Sequence, residues 1–266
     1  MIGAVQALIL GIVQGLTEFI PVSSSGHLVL VHALLGTGQN DLVFDLALHL
    51  GTLLALIGFF NVELLILAKA LFVKSEQSKL SWFLALATLP AVVAGILLES
   101  AAESTFRSPK LVAITMILAA VVMFTAERFM QRRAKLTKLG DVSLKQSIII
   151  GLAQAVALVP GISRSGSTIA AGLFMGLDRI SATRFSFLLG IPITAGAILK
   201  VLASSTSLAE ISSNFSIFAI GTISALVSGI LAIRFLLKFL AKHSLDIFVY
   251  YRVALGLSVL LILTLR

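Results

Sequence analysis

Long apolar stretches separated by short polar segments run along the whole 266-residue chain. Six of these stretches have close to the ~20 residues that an α-helix needs to cross the hydrocarbon core of a bilayer. They lie at residues 42–60, 82–99, 111–127, 182–203, 215–237 and 247–265. The pattern therefore predicts an all-α integral membrane protein with six transmembrane helices.

Two further apolar segments, residues 2–36 and 147–177, are interrupted near the middle by polar residues. The first interruption is PVSSSGH at residues 21–27, and the second is PGISRSGS at residues 160–167. Each half of these segments is too short to cross a bilayer alone. We therefore predict two re-entrant helix-loop-helix hairpins, which enter the membrane and turn back within it.

The two interrupted segments resemble each other when they are aligned with a shift of 140 residues. The coinciding pairs are Gly11 and Gly151, Gln14 and Gln154, Ser23 and Ser163, Ser25 and Ser165, Gly26 and Gly166, and Gly36 and Gly176. Each half of the chain then has one hairpin and three spans, and an odd number of crossings inverts the second half. We predict a single membrane domain over residues 1–266, with a first repeat at 1–138 and an inverted second repeat at 139–266. The two hairpin tips would meet near the midplane.

The composition agrees with a membrane protein, since 58% of the residues are hydrophobic, 12% are charged, and the mean hydropathy is +1.08. The chain has no cysteine, which excludes disulfides and thiolate chemistry. The formal charge is +8, and the basic residues concentrate in the loops 61–81, 128–146 and 238–246. By the positive-inside rule these loops are cytoplasmic and both termini face outward. The basic charge therefore does not require a nucleic-acid partner.

The first interruption contains groups that can perform acid-base or nucleophilic chemistry. A carboxylate inside a membrane is costly, so Glu18 is a functional candidate, and Gln14, one helical turn earlier, faces the same way. Ser24 and His27 are three residues apart and could form an activated nucleophile pair. The alternatives are that Glu18 only solvates a helix end, that the serines only cap a helix, and that His27 only packs.

The second interruption contributes a cation, Arg164, flanked by Ser163 and Ser165 and followed by Gly166 and Thr168. A guanidinium is well suited to binding phosphate, and a helix N-terminus adds backbone N–H donors. An arginine within the membrane needs either an anionic ligand or a carboxylate such as that of the first hairpin. These residues are compatible with phosphoryl chemistry and with anion passage, and they do not distinguish the two.

GLTEFIPVSSSGH at residues 15–27 and PGISRSGSTI at residues 160–169 resemble the two signature motifs of the bacitracin-resistance type undecaprenyl-diphosphate phosphatases. The likeness in span pattern covers essentially the whole chain. The resemblance implies an enzyme of the bacterial inner membrane, with its site facing the periplasm, that hydrolyses undecaprenyl diphosphate to the monophosphate. Such an enzyme recycles the lipid carrier of cell-wall synthesis and confers bacitracin resistance.

The resemblance also implies roles for individual residues. Glu18 would bind a divalent cation, magnesium or calcium, or position a water molecule. Ser24 would be the nucleophile with His27 as its base, or His27 itself would attack, and Arg164 would hold the diphosphate. The further substrate-binding positions would be Gln14, Ser23, Ser25, Gly26, Ser163, Ser165, Gly166 and Thr168. In two departures from the family pattern, Gln14 lacks the charge of a glutamate, and His49 stands where many relatives carry glutamine.

A transporter or flippase of a polyprenyl phosphate, or of another anion, is the alternative function. Inverted repeats with broken helices at the midplane are a transporter architecture. Carriage alone needs no nucleophile, which favours the enzyme. The expected partners are the polyprenyl diphosphate substrate and membrane lipid, and the sequence leaves the oligomeric state open, a homodimer included.

Overall fold

The computed structural model describes residues 2–36, 42–97 and 108–265. Within these ranges the chain forms twelve α-helices and one 3₁₀ turn, and its only β-type pairing is an isolated bridge between Thr137 and Leu177. The helices are α1 Ala4–Phe19, α2 Ser24–Leu35, α3 Leu42–Phe59, α4 Asn61–Ala70, α5 Ser78–Leu97, α6 Pro109–Gln131, α7 Leu144–Val156, α8 Arg164–Phe174, α9 Arg179–Leu202, α10 Ser205–Ser213, α11 Phe215–Leu240 and α12 Asp246–Leu265.

Six helices, α3, α5, α6, α9, α11 and α12, are long and apolar enough to cross a membrane. They coincide with the six predicted spans, although the predicted end of the second span at residue 99 lies outside the described residues. At most 44% of the apolar window of any span is buried inside the protein. The remaining apolar surface suits contact with lipid tails, so the chain is a multi-pass membrane protein.

The segment 61–81, predicted as a loop, is mostly helical. Asn61–Ala70 forms α4, and α5 begins at Ser78, which leaves only residues 71–77 outside a helix. Glu63 lies in the first turn of α4 and Lys69 in its last turn, and both charges complement the helix dipole. The prediction of a loop was therefore wrong because the charged residues of this segment stabilise a short helix.

Two helical hairpins, α1–α2 and α7–α8, occupy the positions of the interrupted segments 2–36 and 147–177. The longest of their helices, α1, has 16 residues, which gives ~24 Å at 1.5 Å per residue, short of the ~30 Å hydrocarbon core. Their lengths are consistent with re-entrant hairpins, and their depth in the bilayer stays a prediction.

Glycines allow the first helix of each hairpin to pack closely against a span from the other half of the chain. A Cβ on Gly11 or Gly15 of α1 would overlap the backbone of α11 around Gly221 and Ala225. In the same way, a Cβ on Gly151 of α7 would overlap the backbone of α5 at Ala87. These contacts fix the two hairpins within the bundle.

Candidate active site

The two hairpin tips contain the same unusual backbone turn. Ser23 has φ 76° and Ser163 has φ 75°, and they are the two non-glycine residues with positive φ in the described part of the chain. Each serine Oγ accepts a hydrogen bond from the backbone N–H three residues later, at Gly26 (3.3 Å) and Gly166 (3.1 Å). Positive φ in a non-glycine residue costs of order 1–3 kcal/mol. The serine caps offset part of this cost and start α2 and α8 in matching orientations.

Arg252 of α12 joins both tips to the bundle. Its side chain is fully buried, and it donates to the carbonyl of Pro21 in the first tip (3.2 Å). It also donates to the carbonyls of Gly161 (2.7 Å) and Ile162 (3.0 Å) in the second tip, and to Met116 of α6 (3.2 Å). One guanidinium therefore fixes the position of the two turns relative to each other.

The carboxylate of Glu18 is the point where the two hairpins meet. Its Oε1 accepts a hydrogen bond from Arg164 Nη2 at 2.8 Å. Its Oε2 accepts from Ser24 Oγ at 2.6 Å and from Gln14 Nε2 at 3.1 Å, while His49 Nε2 lies 3.7 Å away. Glu18 is only 8% exposed. The donors around it stabilise its negative charge in this buried position.

Arg164, the first residue of α8, is held from behind by α9. Its Nη1 donates to the carbonyl of Ser186 at 3.1 Å, and a Cβ on Gly190 would overlap the guanidinium. The hydroxyls of Ser186 and Thr168 lie 2.6 Å apart, and Thr168 also donates to the Arg164 carbonyl at 2.7 Å. Thr168 is thus buried behind the arginine, where it supports the position of Arg164.

His27 is turned away from Ser24, so the predicted contact between them is not formed. The His27 Nδ1 lies 2.7 Å from the Ser23 carbonyl, which can only accept, so this nitrogen carries the proton. The His27 Nε2 then accepts from the hydroxyl of Tyr251 at 2.7 Å, and the two rings stack with centroids 5.6 Å apart. Because Ser24 donates to Glu18, the group next to the serine hydroxyl is a carboxylate and not an imidazole.

A cavity of about 250 Å³ opens beside Glu18 and Arg164. Its polar lining comes from both hairpins, α3 and α9, and consists of Glu18, Ser24, Ser25, His49, Gln154, Ser163, Arg164 and Thr194. The other predicted site residues, which lie outside this lining, are Gln14, Ser23, Gly26, His27, Ser165, Gly166 and Thr168. The cavity thus presents hydroxyls, one carboxylate and one guanidinium to a ligand.

The fit of this cavity to a divalent cation depends on the substrate. Among the described residues no group of three or more His, Asp or Glu side chains could hold a metal. Glu18 is the one carboxylate in the cavity lining. Magnesium is commonly bound by one or two carboxylates together with substrate phosphates. The residues fit that mode of binding and do not fit a cage built from protein ligands alone.

Comparison with known proteins identifies the family. The family model of bacitracin resistance protein BacA matches residues 7–258. The chain belongs to the BacA family. It is 44% identical to the undecaprenyl-diphosphatase of Desulforudis audaxviator over 98% of both chains. It is also 41% identical to the undecaprenyl-diphosphatase of Pelotomaculum thermopropionicum, over 98% of this chain and 97% of the relative. The resemblance drawn from the two motifs is therefore confirmed.

Several residues that shape this BacA family site were not predicted from the sequence. They are Ser186 and Gly190 behind Arg164, Tyr251 beside His27, Arg252 between the tips, and Gln154 in the cavity wall. A signal was present for Arg252, since it is a lone charge within the apolar span 247–265. The roles of Ser186 and Gly190 depend on how α9 packs against α8, which no local pattern shows.

Proposed function

We propose that this BacA family protein is an undecaprenyl-diphosphate phosphatase, which hydrolyses undecaprenyl diphosphate to undecaprenyl phosphate and inorganic phosphate. The observation that carries the proposal is the contact of Ser24 and Arg164 with one carboxylate, Glu18, where the two hairpins meet. A hydroxyl, a base for its proton and a cation for phosphate are the groups that phosphoryl transfer to a serine requires. Two relatives with this activity in their names, 41–44% identical over nearly the full length, support the assignment.

Ser24 is the nucleophile in this mechanism, and Glu18 is its base. The Ser24 oxygen lies 2.6 Å from Glu18 Oε2, so Glu18 can take the hydroxyl proton as the oxygen attacks the terminal phosphorus. The bond from that phosphorus to the bridging oxygen breaks, and undecaprenyl phosphate leaves. Water then attacks the phosphoserine, which releases phosphate and restores the Ser24 hydroxyl. His27 is less suited to attack because both its ring nitrogens have other partners.

Arg164 binds the phosphate that is attacked. It is 15% exposed at the cavity and is oriented by the Ser186 carbonyl, so its guanidinium is preorganised for a phosphate oxygen. Its charge offsets the negative charge that builds up on the phosphate oxygens during attack. The N-terminus of α8 adds a favourable dipole at the same place.

The divalent cation, magnesium or calcium, is also part of the proposal. A bound cation would neutralise phosphate charge, and Glu18 with the substrate phosphates would hold it. Dialysis against a chelator should abolish phosphate release, and added magnesium or calcium should restore it. Full activity in the chelator-treated protein would remove the cation from the mechanism.

The site faces the periplasm of a bacterial inner membrane in this proposal, with both termini on the periplasmic side. The cavity residues contributed by the spans lie near the start of α3 (Leu46, His49) and near the ends of α5 and α9 (Ala91, Ala197). These helix ends share one side of the membrane if the basic loops are cytoplasmic.

The absence of cysteine from the sequence makes this orientation testable. Thr194→Cys in the cavity should react with a membrane-impermeant thiol reagent added to intact spheroplasts. Ser75→Cys, in the segment 71–77 that the proposal places in the cytoplasm, should react only after lysis. The opposite result would reverse the orientation.

Phosphate release from undecaprenyl diphosphate by the purified protein is the experiment that tests the function. The wild type should release phosphate, Ser24→Ala should not, and Ser25→Ala should stay active because its hydroxyl does not contact Glu18. Equal activity of wild type and Ser24→Ala would overturn the mechanism. A wild type that moves lipid across vesicles without releasing phosphate would support the transporter alternative.

A further inference from the structure

Gln154 is a buried amide in the wall of the catalytic cavity without a hydrogen-bond partner. It lies on α7 and is 2% exposed, and neither its Nε2 nor its Oε1 bonds to another group. The great majority of buried polar side-chain atoms in proteins have a partner. An amide left unpaired in a buried position loses its hydration without compensation, so Gln154 requires an explanation.

The corresponding residue of the first hairpin, Gln14, shows what is missing. Gln14 donates to the carboxylate of Glu18, four residues later on the same helix face. At the corresponding position of the second hairpin, four residues after Gln154, the chain has Leu158, which also lines the cavity. Gln154 therefore retains the amide of the pair while the second hairpin lacks the acceptor.

We propose that Gln154 is a substrate-binding residue, whose Nε2 donates to a phosphate oxygen of the diphosphate. The inference rests on the proposed function of the cavity. The terminal torsion of a glutamine is broad, so the amide can turn into the cavity when a phosphate is bound. The neutral amide adds a donor beside the charged Arg164 without bringing another buried charge that would need a partner. The phosphate thereby supplies the acceptor that Leu158 cannot.

Kinetics and thermal stability of two Gln154 variants separate this role from a structural one. Gln154→Leu should raise KM for undecaprenyl diphosphate about tenfold, as expected for one lost hydrogen bond to a charged group. Its Tm should stay equal or rise, because an unpaired buried amide is removed. Gln154→Glu should raise KM further, since its carboxylate repels phosphate. Gln77→Leu, in the segment 71–77 away from the cavity, is the matched control and should not change KM.

An unchanged KM in both Gln154 variants would overturn this inference, and so would a fall in Tm without a change in KM. Failure of the proposed function is distinguishable, because the wild-type protein itself would then release no phosphate. Inorganic pyrophosphate as a competitive inhibitor gives a second readout. Its inhibition constant should rise in Gln154→Leu if the amide binds the head group.

An independent observation concerns an apolar groove of about 310 Å³ between α3, α9, α10 and α11. Its lining is almost wholly apolar and includes Leu50, Ile198, Phe215 and Ala219. Leu46 lines both this groove and the catalytic cavity, so the two are adjacent. The hydroxyl of Thr222, the one polar side chain in the lining, donates to the Ala47 carbonyl.

A second apolar groove offers a comparison. It has a similar volume, about 290 Å³, and lies between α6, α7 and α8, where Leu118, Ala119 and Phe174 line it. None of the residues lining this second groove also lines the catalytic cavity. Volume and apolarity alone therefore do not distinguish the grooves, whereas contact with the catalytic cavity does.

We infer that the groove beside Leu46 binds the part of the polyprenyl tail that follows the diphosphate. This inference also rests on the proposed function. A head group in the cavity places the first isoprene units at the cavity margin, where Leu46 leads to an apolar surface. Burial of these units in the groove would add affinity that the head group alone does not provide.

Two alanine-to-tryptophan variants test this inference because they fill one groove each. Ala219→Trp should raise KM for farnesyl diphosphate and for undecaprenyl diphosphate about tenfold, which corresponds to about 1.4 kcal/mol of lost binding. Ala119→Trp in the second groove should leave both KM values unchanged. The inhibition constant of inorganic pyrophosphate, which has no tail, should be unchanged in both variants.

Equal KM values in the two tryptophan variants would overturn the inference, as would a parallel loss of pyrophosphate inhibition in Ala219→Trp. Phe215→Ser provides a second variant if Ala219→Trp does not fold, since Phe215 is 69% exposed in the groove wall. It should raise KM for both lipids and leave pyrophosphate inhibition unchanged. A wild type inactive on both lipids would instead contradict the proposed function.

Discussion

The two hairpin tips have the same backbone and different chemistry. Ser23 and Ser163 adopt the same positive φ and cap the following helix in the same way. The next residue is Ser24 in the first tip and Arg164 in the second, and both side chains bond to Glu18. A shared turn therefore delivers a nucleophile from one side and a cation from the other to one carboxylate.

The helices that precede the tips differ in a second way. The first carries Glu18, while the corresponding position of the second is Leu158. The site consequently has one acid and one base, which can pair across the two hairpins. Two carboxylates at these positions would repel each other and the diphosphate. The asymmetry between the hairpins, more than their similarity, creates the site, and variants that remove it should be the most damaging.

Replacement of Glu18 by glutamine should have the largest effect, because it removes the charge that occurs in only one hairpin. Glu18→Gln keeps the shape of the side chain but cannot take the Ser24 proton, and it leaves Arg164 without its counter-ion. Loss of a general base typically costs about 10²–10⁴-fold in rate. We expect kcat for phosphate release to fall by that amount.

Glu63→Gln is the control for this change. Glu63 pairs with Arg184 on the opposite side of the bundle in a partly exposed salt bridge. Such pairs contribute at most about 1 kcal/mol, so phosphate release should be close to that of the wild type. A Glu18→Gln protein with more than a tenth of wild-type kcat would show that Glu18 is not the base.

Replacement of Arg164 by lysine tests the contribution of the second tip. Lysine keeps the charge but cannot donate to Ser186, Glu18 and a phosphate oxygen from one planar group. We expect kcat/KM to fall about 10²-fold, in line with the loss of one oriented donor to a developing anion. Arg128→Lys, which alters a partly exposed pair with Asp246, should not change kcat/KM. Full activity in Arg164→Lys would reduce the role of this tip to a point charge.

Gly190 tests whether the orientation of Arg164 matters as well as its presence. A Cβ at Gly190 would overlap the guanidinium, whereas a Cβ at Gly196, two turns later on α9, meets nothing within 4 Å. A 1 Å displacement of a positioning group can cost on the order of 10²-fold in rate. Gly190→Ala should therefore lower kcat/KM by about 10-fold or more, since the arginine is flexible enough to shift without unfolding the protein. Gly196→Ala should be neutral, and equal activities would contradict the proposed preorganisation.

The sequence predicted the six spans and the two hairpins because both depend on local patterns. Span length follows from the bilayer thickness, and the interruptions at residues 21–27 and 160–167 are visible as polar residues in apolar text. The segment 61–81 was mispredicted because a charged connection between spans can still form a short helix such as α4.

The site was only partly predictable for a different reason. Glu18, Ser24 and Arg164 stand out because charged and hydroxyl residues within the membrane are costly or unusual. Which of them touch depends on packing between helices far apart in the sequence. Spacing alone suggested that Ser24 pairs with His27, and the structure pairs His27 with Tyr251, which is 224 residues away.

The contact between His27 and Tyr251 gives the smallest expected effect and separates support of the first tip from chemistry. Tyr251→Phe keeps the stacked ring and removes the hydroxyl that donates to His27 Nε2, leaving the Nδ1 bond to Ser23 in place. Because His27 is not the base in this mechanism, kcat should fall less than about fivefold, the size of one modest hydrogen bond. Tyr250→Phe, at the adjacent and more exposed tyrosine, should leave kcat unchanged. A fall of 10²-fold or more in Tyr251→Phe, with unchanged Tm, would return His27 to the catalytic step and make the first tip the source of the base in a different sense. A small effect would leave Glu18 as the only base within reach of Ser24.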